Sequence, residues 1–78
     1  MHINNHYVGT GETQTVVLGF KPDYVEIFHP LIAFPYIRTR VGGNNLGYAT
    51  IILTDNGFTV TPDLSEEGKV FSYMAMGR

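Results

Sequence analysis

Ile51-Ile52-Leu53-Thr54-Asp55-Asn56-Gly57-Phe58-Thr59-Val60 is the stretch that decides the fold class. Two runs of β-branched and aromatic side chains flank Asp55-Asn56-Gly57, and Asn and Gly best tolerate the positive φ of a tight hairpin turn. Paired strands are expected over residues 48–54 and 57–61. Ile51, Leu53, Phe58 and Val60 then face a core, and Ile52 faces away from it.

The same grammar extends in both directions. Residues 5–9, 13–18, 23–29, 36–41 and 69–76 read as further short strands, separated by Gly- and Pro-containing turns. Pro22, Pro30, Pro35 and Pro62 leave no window for a long helix. Gly42, Gly43, Gly47 and Gly57 interrupt the longest Pro-free stretch, residues 36–61. The expected fold is all-β: a small antiparallel β-sandwich or barrel-like domain of about seven short strands. One domain spans residues 1–78. Residues 1–6 form a polar arm ahead of it, free to fray or to clasp a neighbour.

Alternation predicts a core of Val16, Leu18, Phe20, Val25, Ile27, Ile51, Leu53, Phe58, Val60, Phe71, Tyr73 and Ala75. The opposite faces are not polar, since Val17, Tyr24, Phe28, Ile52, Met74 and Met76 point outward. By size scaling the folded chain exposes about 4,700 Å² and buries about 7,900 Å². Apolar burial then contributes about 118 kcal/mol, against about 117 kcal/mol for ordering the chain. A fold so nearly balanced calls for further support. With no Cys, disulfides and thiolate metal sites are excluded, which leaves self-association or docking on a larger body.

Charge narrows the partners. Charged residues are 15% of the chain and the formal net charge is −2, so the basic stripe of a nucleic-acid binder is missing. No apolar run reaches the roughly 18 residues of a membrane-spanning helix, and the polar start His2-Ile3-Asn4-Asn5-His6 does not read as a signal peptide. Neither nucleic acid nor membrane is an expected partner.

Three blocks carry a resemblance. Residues 10–27 contain Gln14-Thr15-Val16-Val17-Leu18-Gly19-Phe20-Lys21-Pro22-Asp23-Tyr24-Val25. Residues 51–60 form the hairpin quoted above, and residues 68–77 run Gly68-Lys69-Val70-Phe71-Ser72-Tyr73-Met74-Ala75-Met76-Gly77. In this order they resemble a small β-sandwich domain recurrent in virion proteins of tailed bacteriophages, of the head decoration and tail-fibre type. They cover about half the chain. The physics of the first block is structural: Gly19 turns sharply, Phe20 plugs the core and Pro22 presets a corner between strands.

The segment Phe28-His29-Pro30-Leu31-Ile32-Ala33-Phe34-Pro35-Tyr36-Ile37 departs from the family pattern. It is either a buried connection between sheets or an apolar docking loop. Arg38 and Arg40 share a strand face, where they are solvated or pair with Glu26 or with acids of a neighbouring protomer. The expected oligomer or lattice interface is Phe28, Leu31, Ile32, Phe34, Tyr36, Arg38, Arg40, Ile52, Met74 and Met76.

Catalytic and metal chemistry find little footing. His2 and His6 stand about 13 Å apart on an extended segment, too far to share an ion. His29 has no neighbouring ligand pattern. Neither Ser65 nor Ser72 lies in a nucleophile elbow. Asp55, Asp63, Glu66 and Glu67 read as solvated turn acids, and Asp55-Asn56-Gly57 is only a fragment of a calcium loop. Gly9-x-Gly11 and Gly42-Gly43 lack the strand–loop–helix setting of a phosphate cradle. No cofactor, metal or catalytic residue is therefore expected.

The resemblance implies a non-enzymatic virion structural protein. The expected role is a self-associating head decoration (cement) protein, such as a trimer, docking on the major capsid protein or another virion protein. The family domain often ends a long fibre, whereas here it is expected to be the whole polypeptide, which favours the lattice role. The alternative is a tail-fibre, receptor-binding module that stacks Tyr7, Tyr36 and Tyr48 on host-surface carbohydrate.

Overall fold

Alternating apolar residues become strands wherever two faces have different fates. The computed structural model describes residues 1–31, 35–40, 43–44 and 49–77. Its strands are β1 (His2–Val8), β2 (Gln14–Val17), β3 (Pro22–Phe28), β4 (Tyr36–Thr39), β5 (Gly43–Asn44), β6 (Ile51–Leu53), β7 (Gly57–Val60) and β8 (Val70–Gly77). A single 3₁₀ turn, Pro62–Leu64, is the only helical element among the described residues. One antiparallel sheet has the order β1-β8-β3-β4-β5, with β5 only two residues long, and the other has the order β2-β7-β6. The all-β, two-sheet architecture is the one expected from the sequence.

The two sheets close over one core. Val25, Ile27, Phe71, Tyr73 and Ala75 of the larger sheet pack with Val16, Ile51, Phe58 and Val60 of the smaller. Leu18, Phe20 and Leu53 lie partly buried against them. Phe58 meets Tyr73 edge-on at 5.2 Å between ring centroids, and Tyr7 stacks on Phe71 at 5.3 Å. Such ring geometries add to the gain from area burial. The accessible surface is 4618 Å², close to what scaling gives for this length.

Four details differ from the sequence expectation. First, β1 starts at His2, so the polar residues 2–6 are strand and not a separate arm. His2 lies opposite Met76, and the register runs unbroken to Val8 opposite Val70. Second, the β6–β7 turn does not use positive φ, which among the described residues occurs only at Gly11, Gly19 and Gly68. Thr54 N–H donates to the Gly57 carbonyl at 2.9 Å, and Gly57 is needed because a Cβ there would collide with the Val16 carbonyl of β2.

Third, Tyr7 and Tyr36 belong to the core. Fourth, Leu64 and Ser65, which belong to no expected strand or core position, are fully buried. Tyr7 Oη donates to the Leu64 carbonyl at 2.7 Å. Thr10 N–H donates to Ser65 Oγ at 3.1 Å, and Ser65 Oγ donates to Gln14 Oε1 at 2.9 Å. This network fastens residues 9–14 to residues 61–69. Gly9 permits it, since any Cβ at that position would strike the Glu66 carbonyl. The predicted corner is present, with Gly19 at φ +85°, Phe20 against the core and Pro22 buried.

Candidate functional site

Because the larger sheet is antiparallel, its registers sort every side chain into rows across the strands. The inner rows make the core. The outer rows are His2–Met76–Tyr24–Thr39, then Asn4–Met74–Glu26–Ile37, then His6–Ser72–Phe28, then Val8–Val70. No described element covers them. Val8, Phe28, Val70 and Met76 keep between 41% and 51% of their surface exposed, and Met74 is half-buried among its neighbours. Lys and Arg are absent from these rows.

Glu26 is the single carboxylate in the rows. Tyr24 Oη donates to Glu26 Oε1 at 2.6 Å, a short charge-assisted bond. That bond, together with partial burial and the nearby negative charge, pushes the Tyr24 phenol up to about 12. Burial alone raises the Tyr7 and Tyr73 phenols. The face therefore presents thioethers, aromatic edges, two imidazoles, hydroxyls and a neutral amide around one hydrogen-bonded acid. Such a surface suits contact with another protein surface.

The residues expected at an interface divide into groups. Phe28, Met74 and Met76 lie together on the outer face. Leu31 is exposed in the loop after β3, and its N–H donates to His29 Nδ1 at 3.0 Å. Ile52 is exposed on the far side of the smaller sheet, next to neither group. Ile32 and Phe34 lie outside the described residues. Tyr36 is a correction: it sits opposite Ile27 on the inner face and is 8% exposed, so it is core.

Arg38 and Arg40 do share a side, as expected, but it is the inner one. Arg38 lies opposite Val25 at the seam between the sheets. The predicted pairing with Glu26 does not form, because Glu26 is on the other face with Tyr24. Arg40 instead places Nε 3.7 Å from Asp23 Oδ1 and donates from Nη2 to the Thr54 carbonyl at 2.8 Å. Together the two arginines border a cleft of about 230 Å³ with Thr39, Thr50, Ile51, Ile52 and Leu53. Arg40 thus bridges the two sheets and is already engaged.

Carbohydrate stacking loses two of its three aromatics. Tyr7 is 7% exposed with its hydroxyl bound inside the protein, and Tyr36 is equally enclosed. Tyr48 lies outside the described residues.

Comparison of the chain with protein-family models, with curated proteins and with solved structures found no match.

Proposed function

We propose that this chain is a non-enzymatic structural protein of a bacteriophage virion, working by self-association and by docking on the coat lattice as a head decoration protein. The observation that carries the proposal is the uncovered outer face of the five-stranded sheet, with Val8, Phe28, Val70 and Met76 exposed and no Lys or Arg. Low charge, a near-balanced folding energy and the resemblance of residues 10–27, 51–60 and 68–77 to virion β-sandwich domains support the same role.

The partner surface is apolar and weakly charged. Desolvating it costs little, and thioethers adapt their shape to what they meet. Contact in a repeating lattice multiplies a modest single-site affinity.

The test is the copy number of the chain per purified particle, measured against the major coat protein by quantitative mass spectrometry. Parity with coat subunits is the expected result, and M76E combined with F28E should lower it. A few copies per particle would move the chain to the tail and favour receptor binding. Absence from the particle would end the virion assignment.

A further inference from the structure

The outer edge of β1 is built differently from the other strand edges. β2 has four residues, β6 three and β5 two, whereas β1 has seven. Soluble proteins protect long edges with Lys, Pro, bulges or inward charges. β1 reads His2-Ile3-Asn4-Asn5-His6-Tyr7-Val8 and carries no Lys, Arg, Asp, Glu or Pro. Its pairing with β8 shows no shift that would mark a bulge.

The direction of its backbone groups follows from the bonds at its two ends. Gly77 N–H donates to the Met1 carbonyl at 2.8 Å, and Gly9 N–H donates to the Lys69 carbonyl at 2.8 Å. Antiparallel ladders alternate, so odd-numbered residues exchange hydrogen bonds with β8. The N–H and C=O groups of His2, Asn4, His6 and Val8 therefore point away from the sheet. One has a local partner: His6 N–H donates to Asn5 Oδ1 at 2.8 Å.

We propose that this edge is a pairing site for a second copy of the same chain, joining the two larger sheets through antiparallel β1 strands. A two-fold axis at Asn5 sets His2 opposite Val8 of the second copy, Ile3 opposite Tyr7, and Asn4 opposite His6. This register matches outer residue to outer residue and inner to inner along all seven positions. It also brings only outward-pointing groups into hydrogen-bonded pairs, giving about eight ladder bonds. Asn5 releases His6 N–H when the copies meet, so its side chain acts as a removable guard. No formal charge is desolvated in the process. The outer rows of both copies then form one continuous face. The pairing rests on the self-association proposed above and not on where the assembly sits.

Two measurements on the full chain test it. Sedimentation velocity over a wide concentration range should show a dimer that N4P weakens at least tenfold, on the order expected for two symmetric lost bonds. Because Asn4 N–H points away from β8, N4P leaves the internal ladder intact, and circular dichroism should confirm an unchanged fold. Should proline unfold β1, amide exchange of the unsubstituted chain decides. Amide exchange needs no variant: Asn4, His6 and Val8 should gain protection as the dimer fills. A chain that stays monomeric overturns the pairing, and so does self-association in which these amides still exchange fast. If M76E abolishes assembly while N4P, still folded, does not, the β1 pairing is overturned and the outer-face role stands. If the β1 dimer forms but the chain is absent from particles, the virion role fails and the pairing stands.

Discussion

The two faces of the five-stranded sheet are built from the same strands, yet they have opposite fates. On β3 and β8 the inner side carries Val25, Ile27, Phe71, Tyr73 and Ala75, all buried under the smaller sheet. The outer side carries Tyr24, Glu26, Phe28, Ser72, Met74 and Met76, with nothing described above them. Both faces are rich in apolar side chains. The inner set is wholly apolar or aromatic, whereas the outer one mixes Glu26 and Ser72 among its apolar side chains, and a second layer is described over the inner side alone. An apolar residue stabilises the fold only when something closes over it, and the outer residues remain available for that closure from outside.

The comparison can be broken most directly by truncation. F71A removes a fully buried ring that stacks on Tyr7, and it should cost about 3–5 kcal/mol in denaturant unfolding. An equal cost for M76A would erase the distinction between the faces. The Gly9 contact comes next. G9A forces a Cβ into the Glu66 carbonyl and should cost about 1–3 kcal/mol, with a lowered midpoint in thermal melts. S65A removes the shared partner of Thr10 N–H and Gln14 Oε1, both partly open to solvent, a loss of about 1 kcal/mol by the same assay.

Alkaline titration sharpens the outer face. Tyr24 ionises near 10.0 in the unfolded chain and near 12 in the folded one. Stability from its bond to Glu26 is therefore complete below pH 10 and declines as pH rises through 12, because the unfolded chain gives up its proton first. Y24F should flatten that part of the pH–stability curve. The smallest effect on folding belongs to M76A, within about 0.5 kcal/mol of the parent in chemical denaturation, as for other exposed sites.

Much of the fold was legible. The corner at Gly19-Phe20-Lys21-Pro22 and nine of the predicted core positions depend on local alternation and turn chemistry, which neighbours in sequence reveal. Alternation also placed the hairpin at residues 51–60, although its turn does not use the expected positive φ. The candidate face was half legible. Outward Phe28, Met74 and Met76 follow from the same alternation, but their assembly into one surface needs β8 between β1 and β3, a pairing of residues far apart in the chain. Tyr7 and Tyr36 misled because an amphipathic ring suits either a surface or a core with a hydrogen-bond acceptor nearby. The Leu64 carbonyl that satisfies Tyr7 is 57 positions away. Leu64 and Ser65 are missing from the expected core because nothing local shows that Tyr7, Thr10 and Gln14 converge on them.

By itself, then, the sequence determined the strand content, the turns and the split of each strand into two sides, since these arise from side-chain period and backbone sterics within a few residues. Only the tertiary structure decided that β8 lies between β1 and β3, that Arg40 meets Asp23 rather than Glu26, and that β1 is left as a long unprotected edge. Those outcomes follow from strand order and register. They are chosen by the summed burial of both sheets together, a quantity that no single stretch of sequence contains.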